Sequence, residues 1–169
     1  MRFGFTIDGN RNKLTGNMAT DNTNDGFLVV GSNNTLTKNA ARGGTDGFAD
    51  GFSIFGANNT LLKNTASDNA DDGFDVHTDD NTLRTNVATD NGDGGFAIEG
   101  TRNRVQQNQA QDNGGVGIQV FGVSNQIPSN TALGRATPFF FDLEYSNVNC
   151  GHNLCEDDKF NNRHLRCID

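Results

Sequence analysis

A 22-residue period runs through this chain and limits what it can fold into more than any other feature. Glycines open successive repeats at Gly4, Gly26, Gly51, Gly73, Gly95 and Gly117, and every interval is 22 residues except the 25 between Gly26 and Gly51. A repeat this short cannot bury an apolar face alone and must stack on its neighbours. The second position reads Phe5, Phe27, Phe52, Phe74, Phe96, Ile118 and Phe140, and the fourth reads Ile7, Val29, Ile54, Val76, Ile98 and Val120. Apolar residues two apart share one face of a strand, so each Gly-Phe-x-Ile segment predicts a short strand with these columns inward. The eleventh position (Leu14, Leu36, Leu61, Leu83, Val105, Ile127) predicts a second strand, and the sixteenth (Ala19, Ala41, Ala66, Ala88, Ala110, Ala132) a third.

Three short strands per repeat, with no 3.6-residue periodicity and too few residues for a propeller blade, predict an all-β chain: a right-handed single-stranded parallel β-helix. About seven coils, from Phe5 through Phe140, would stand about 30 Å tall at strand spacing. The repeats are expected over residues 1–138, with a small protrusion near 43–50 where Asp46-Gly47-Phe48 and Asp50-Gly51-Phe52 look like a duplicated start; residues 139–169 would form the last coil and a cap. At the sixth position Gly9, Gly31, Gly56, Gly100 and Gly122 are expected to supply turns with positive φ. Asn recurs at the ninth position (Asn12, Asn34, Asn59, Asn81, Asn103, Asn125), the fourteenth (Asn17, Asn39, Asn64, Asn86, Asn108, Asn130) and the nineteenth (Asn22, Asn69, Asn91, Asn113). Stacked at the corners, their amides are expected to form ladders that satisfy otherwise buried polar groups.

Only 33% of residues are hydrophobic and the formal charge is −8. In an irregular chain that balance leans towards disorder; the periodicity overrides it. No cluster of Lys and Arg is present to neutralise phosphates, which excludes nucleic acid as the expected partner. No apolar run is long enough to span a bilayer, and Met1 to Phe5 lacks the pattern of a secretory signal. Since a repeat already begins at Gly4, the expectation is an exported, extracellular or cell-surface protein from which a signal and an N-terminal cap have been removed. All three cysteines, Cys150, Cys155 and Cys167, fall in the last 20 residues, where a crosslink would tie down a terminus the repeats leave uncovered. The alternative, a metal site with His152 and His164, lacks zinc-finger spacing.

The pattern G-F-x-[IV]-x-G-x-x-N-x-L-x-x-N-x-A-x-x-N resembles the right-handed parallel β-helix repeats of the pectate-lyase-like superfamily, over roughly Gly4 to Pro138. Asn149-Cys150-Gly151-His152-Asn153, with Asp158-Lys159-Phe160 and Cys167-Ile168, is similar to the C-terminal cap of that family. This implies a Cys150 to Cys167 disulfide, and Cys155 then stands where an aromatic is expected. The superfamily carries an association with carbohydrate as a class, although fold does not fix function.

Ligands of such solenoids lie along an exposed sheet, so the outward residues of the first strand are the candidates. The third column is Thr6, Leu28, Ser53, Asp75, Ala97, Gln119 and Phe141; the fifth is Asp8, Val30, Phe55, His77, Glu99 and Phe121. Asp75, His77 and Glu99 gather titratable groups on adjacent rungs, and Phe55 and Phe121 flank them as a sugar-binding platform. The same coil departs from the repeat at Gly73-Phe74-Asp75-Val76-His77-Thr78-Asp79-Asp80, where Thr78 replaces the sixth-position Gly; departures from a consistent pattern are where function tends to sit. The Asp-x-His unit is similar to the Asp-Pro-His motif of mannuronan C5-epimerases, which implies roles for Asp75 and His77 in moving the C5 proton of a uronic acid. Val76 stands here in place of the Pro, and Asp72 where that family has a Tyr. A His beside a carboxylate suits general base catalysis near neutral pH. Asp75 and Glu99 are also a candidate diagonal pair for an inverting glycosidase, whose carboxyls stand about 6.5–9.5 Å apart.

Asp21, Asp68, Asp90 and Asp112 recur at the eighteenth position. Stacked at rung spacing they repel, and calcium between rungs would relieve that with the oxygen ligands it prefers; solvated turn residues are the alternative. Three functions follow. The first is a carbohydrate-binding or surface and structural module. The second is a polysaccharide-modifying enzyme (lyase, C5-epimerase or glycoside hydrolase) on the exposed first sheet, aided by calcium if its substrate is a uronate. The third is an assembly unit whose first coil pairs edge to edge with another copy.

Overall fold

The computed structural model describes residues 2–133, 143–145, 153–154, 156–160 and 163–164. Three parallel sheets run the length of a solenoid of about six turns. The first sheet takes Phe5–Ile7, Phe27–Val29, Phe52–Ile54, Phe74–Val76, Phe96–Ile98 and Ile118–Val120 in sequence order, then Leu143–Tyr145 and Arg163–His164. The second takes Lys13–Thr15, Thr35–Thr37, Thr60–Leu62, Thr82–Arg84 and Arg104–Gln106; the third runs from Met18–Thr20 through Thr131–Leu133 to Lys159–Phe160. Each strand pairs with its equivalent one repeat away, Phe74 with Phe52 and Phe96, Leu83 with Leu61 and Val105, Ala88 with Ala66 and Ala110.

The inward columns form the core. Phe5, Phe27, Phe52, Phe74 and Phe96 stack with ring centroids 4.7 to 4.8 Å apart and planes within 5° of parallel. Since carbon contacts close at about 3.5–4 Å, the rings are slid past one another, the offset geometry aromatic pairs prefer. Val29, Ile54, Val76, Ile98, Val120, Leu36, Leu61, Leu83, Val105 and Ile127 are fully buried beside them. The Ala column has a reason that period alone does not reveal. A Cβ built on Gly26, Gly51 or Gly73 would come within 2.4 to 2.7 Å of the Cβ of Ala41, Ala66 or Ala88, so the coil closes too tightly there for larger side chains.

The turns differ from expectation in two respects. The sixth-position glycines are not the positive-φ residues; those stand immediately before the ladder asparagines, at Arg11, Asn33, Asn58, Asp80, Arg102 and Ser124, at Gly16, Lys38, Lys63, Thr85, Gln107 and Ser129, and at Asp21, Asp68, Asp90 and Asp112, with Gly43 in the same column ahead of Gly44. Glycine is needed at the sixth position because of the rung below. A Cβ on Gly31, Gly56 or Gly122 would lie 1.9, 1.9 or 1.8 Å from the carbonyl oxygen of Gly9, Gly31 or Gly100. The ladders also divide into two kinds. At the fourteenth and nineteenth positions, where Asn follows Asn, Oδ1 accepts both the backbone N–H and the side-chain amide of the Asn one rung earlier, as Asn108 does from Asn86 at 2.8 and 3.0 Å, while Asn69 Oδ1 accepts the backbone N–H of Gly44. At the ninth position Oδ1 still accepts the earlier backbone N–H, but the side-chain amide donates to backbone carbonyls, as Asn59 does to Gly56 and Gly31. Asn153 and Asp158 continue two of these columns, accepting from the backbone N–H of Asn125 and Asn130.

In the seventh coil Ile118 pairs with Leu143, so the second column continues at Leu143 rather than Phe140, and Glu144 takes the third column expected for Phe141. Both Phe140 and Phe141 lie outside the described residues, as do Cys150, Cys155 and Cys167 with the expected disulfide, and His152. Residues 45–48 are exposed between buried Gly44 and Ala49, and Phe48 is 84% exposed. Among the described residues no helix is long and apolar enough to cross a membrane.

Candidate functional site

The outward face of the first sheet brings Asp75, His77 and Glu99 together. Asp75 and His77 alternate to the same side of one strand and its extension, and parallel pairing sets Glu99 one rung beyond His77. His77 Nε2 lies 2.7 Å from Asp75 Oδ2, and His77 Nδ1 lies 2.7 Å from Glu99 Oε2. Both contacts have hydrogen-bond geometry, with donor and acceptor roles set by the tautomer of the imidazole. Phe55, one rung earlier in the same column, stacks on the imidazole with centroids 4.3 Å apart and planes 15° from parallel. The ring is therefore fixed by two hydrogen bonds and an aromatic face. Phe55 is 47% exposed and Phe121, two rungs past His77, is 40% exposed, which leaves apolar surface on both sides of the charged step. The imidazole fills the space between Asp75 and Glu99, so the water-sized gap of an inverting carboxyl pair is absent between these two residues.

Beside this trio stands a group of acids that the column-by-column reading of the sheet missed. Asp25, Asp50 and Asp72 each immediately precede the opening glycine of a repeat, and each reaches up the solenoid: Asp25 Oδ1 accepts from Asp50 N–H, Asp50 Oδ1 from Asp72 N–H, and Asp72 Oδ1 from Gly94 N–H. Ser53, in the third column directly below Asp75, donates its hydroxyl to Asp50 Oδ2 at 2.7 Å, so this acidic corner runs alongside the third column. Oxygens of Asp50, Asp71 and Asp72 come within 4.8 Å of one another. Burial is the leading cause of a raised pKa at each of these groups, and neighbouring carboxylates add to it. Asp50 is pushed up to about 8, Asp72 to about 7 and Asp75 to about 6, the last held down in part by His77. Asp25 and Asp71 are raised as well. At neutral pH Asp50 therefore carries a proton, and the repulsion that crowding would cause is discharged by protonation. The signal available in the sequence was the recurrence of Asp before Gly at three consecutive repeat starts.

Other expected features are distributed elsewhere. Asp21, Asp68, Asp90 and Asp112 occupy the exposed corner where the chain takes positive φ, a conformation Asp tolerates better than most residues. Gly43 interrupts that column, and Asp68 pairs with Arg42 at 3.0 Å. No three of these four gather their oxygens within 4.8 Å. Thr78, which replaces a sixth-position glycine, donates its hydroxyl to Gly56 O at 2.8 Å. Arg102 does not serve the face: its guanidinium is paired with Asp80 at 2.8 Å and reaches Asp79, which holds the exposed Asp80 carboxyl below its ordinary range. Arg84 is hydrogen-bonded to Gln107. From Thr6 to Phe121 the third and fifth columns contain no Lys or Arg.

A family model described as a right-handed β-helix region matches residues 1–132. Among solved structures, the chain is similar to the A-module of a mannuronan C-5 epimerase from Azotobacter vinelandii, with a TM-score of 0.83, 19% identity, and coverage of 94% of this chain and 50% of that one. It is also similar to a periplasmic alginate epimerase, with a TM-score of 0.68, 15% identity, and coverage of 94% and 47%. The chain spans about half the length of these proteins, and at such identities the likeness establishes the fold. No curated protein matches it.

Proposed function

This chain belongs to the right-handed β-helix family, and from that premise we propose that it acts on a uronic-acid polysaccharide laid along its first sheet, with His77 as the base that removes the C5 proton. The observation that carries this reading is the fixation of one imidazole by Asp75, Glu99 and Phe55 on an otherwise open sheet face. Proton removal beside a carboxylate needs an oriented base. The two carboxylates orient the ring through both nitrogens, and whichever one leaves when substrate arrives frees a nitrogen to act. Phe55 and Phe121 offer apolar faces to sugars on either side.

An anionic chain must approach a surface rich in acids, and the raised pKa values of Asp50 and Asp72 reduce the repulsion it meets, because an acid that holds its proton carries no charge. Both solved structures named above are epimerases of uronic-acid polymers by their descriptions, which supports this substrate class. One of them is described as periplasmic, and export fits the terminal cysteines of this chain.

The test is turnover of pectate, alginate and neutral glycans, with and without calcium, by the wild type and by His77→Ala. Turnover of a uronate polymer that disappears in His77→Ala is expected. The second reading, glycan binding without chemistry, is favoured by the lack of Lys and Arg from Thr6 to Phe121 in the outward columns. It predicts binding with no turnover in either protein, and such a result would sink the enzymatic proposal.

A further inference from the structure

We propose that the second sheet is a separate binding surface for the acidic polymer, anchoring a uronate chain away from His77; in its substrate class this rests on the reading of the first sheet given above. Charge is divided unevenly around the solenoid. Residues 12–20, 34–42, 59–67, 81–89 and 103–111 carry the second and third strands of five successive coils and contain no Asp or Glu, although the chain holds 21 acids against 13 Lys and Arg. The same segments put one cation per coil on the second sheet or on the residue that ends its strand: Lys13, Lys38, Lys63, Arg84 and Arg104. Spread one to a repeat, these residues form no basic run in the sequence, and only the coiling of the chain gathers them.

Leu36, Leu61, Leu83 and Val105 are buried, so the residues on either side of them point out. Lys13 and Arg104 therefore share one outward column, Arg84 stands in the other, and Lys38 and Lys63 occupy the turn just beyond it. Parallel pairing stacks these positions at about 4.8 Å per rung; Lys38 N–H donates to Leu62 C=O, and Lys63 N–H to Arg84 C=O, each at 3.0 Å. All five side chains are exposed. Arg42 and Arg102 are spent on acids, Asp68 for the first and Asp79 and Asp80 for the second. Among the described residues none of the five is ion-paired: Arg84 bonds to the neutral Gln107, and Arg104 to Gln106 and Gln126. Stacked like charges repel, and a ligand with its own row of anions relieves that. A uronate polymer is such a ligand, with one carboxylate per sugar to set against one cation per rung. Between Lys13 and Arg104 the column reads Thr35, Thr60 and Thr82, hydroxyls suited to sugar hydroxyls. Because this surface and His77 lie on different sheets, one stretch of polymer can be held here while another reaches the first sheet, at the raised effective concentration that a tether provides.

The experiment measures binding of fluorescently labelled alginate and pectate by anisotropy over a salt series. Three proteins are compared: the wild type, Lys38→Gln/Lys63→Gln, and Arg42→Gln/Arg102→Gln, which removes the same charge from cations already paired. Lys38→Gln/Lys63→Gln is expected to lose about tenfold in affinity at low salt, a few-fold per cation facing a polyanion, and to show a shallower salt dependence than the wild type. Arg42→Gln/Arg102→Gln should stay within about threefold of the wild type. An equal fall in both variants would reduce the effect to net charge and overturn the assignment, as would a wild type that binds neither polymer at low salt. Single-stranded DNA bound as tightly as the uronates, with the same loss in Lys38→Gln/Lys63→Gln, would make the partner a nucleic acid and overturn the polysaccharide assignment. So would a concentration-dependent mass abolished by those two substitutions, which would make the surface an interface between copies. Polymer binding that depends on Lys38 and Lys63 in a protein with no turnover would instead remove the enzymatic reading of the first sheet and leave this surface standing.

Discussion

Replacing Asp50 by Asn should stabilise this protein above pH 5, and the gain should grow with pH. Asp50 is 6% exposed, and burial raises its pKa from 3.8 to about 8. Its folded-state pKa lies above the unfolded value, so its contribution to stability is fully present below pH 3.8 and is lost as pH rises towards 8. In that window the folded state holds a proton that the unfolded state releases, and stability falls by about 1.4 kcal/mol per pH unit for this one group. By pH 7 the accumulated loss reaches about 4 kcal/mol, taking roughly three units at that slope. Asn has the same shape and no proton to lose. Its Oδ1 can keep the 3.0 Å bond from Asp72 N–H, and its amide can donate to Ser53 once that hydroxyl turns round. Urea midpoints measured for both proteins at pH 4.5, 6 and 7.5 should coincide most closely at the lowest pH and diverge upward, with the variant ahead. An Asp50→Asn protein that is weaker than wild type at pH 7.5, or that shows the same pH slope, would refute the claim that Asp50 is buried as a neutral acid.

Other predictions test the architecture and the face. Gly56→Ala would drive a Cβ to 1.9 Å from Gly31 O, and the backbone shift needed should lower stability by about 1–3 kcal/mol in chemical denaturation. Asn86→Ala would strip the side-chain acceptor from Asn64 N–H and a side-chain donor from Leu61 C=O inside a buried ladder, while Asn108 Oδ1 keeps the backbone N–H of residue 86; at about 1–3 kcal/mol per orphaned group the loss should exceed that of any exposed Asn, such as Asn10, measured in parallel. Phe55→Ala removes the aromatic face against His77 and one flank of the sugar platform, so affinity for a uronate oligosaccharide should fall about fivefold by titration calorimetry, an aromatic contact being worth on the order of 1 kcal/mol. Unchanged affinity would move the ligand off this column.

The fold was legible because a solenoid repeats its constraints. Phe at the second position and Leu at the eleventh recur often enough that a single wrong residue, such as Ile118 in the Phe column, does not obscure the period. The ladder columns were legible for the same reason. Their geometry was not, because a Gly chosen for positive φ and a Gly chosen for lack of a Cβ look identical in sequence. The structure assigns Gly31 and Gly56 to the second kind and gives the positive φ to residues such as Lys63 and Gln107, whose types carry little turn signal. At the candidate site, period-two alternation was enough to bring Asp75, His77, Glu99 and Phe55 to one face. Asp50 and Asp72 lie beyond the reach of that rule, because they flank the opening glycine at a corner, where the direction of a side chain depends on how the coil bends.

Uniformity in the rest of the molecule is what allows such a corner to exist. A neutral acid buried at Asp50 and an imidazole clamped between two carboxylates are both arrangements that a small independent core would tolerate poorly. In a solenoid each coil is held by its neighbours through sheet pairing, stacked Phe and Asn ladders, so a local penalty is spread over interfaces that are themselves regular. The coil bearing Asp72, Asp75, His77 and Thr78 keeps Phe74, Val76, Leu83 and Ala88 in their columns, all fully buried, and keeps Asn81, Asn86 and Asn91 in their ladders. Its departures are confined to positions that face out or turn a corner. Chemistry can therefore change on the outward columns of one rung while the inward columns continue to specify the fold, which is why the residues that break the repeat here are the ones to mutate first.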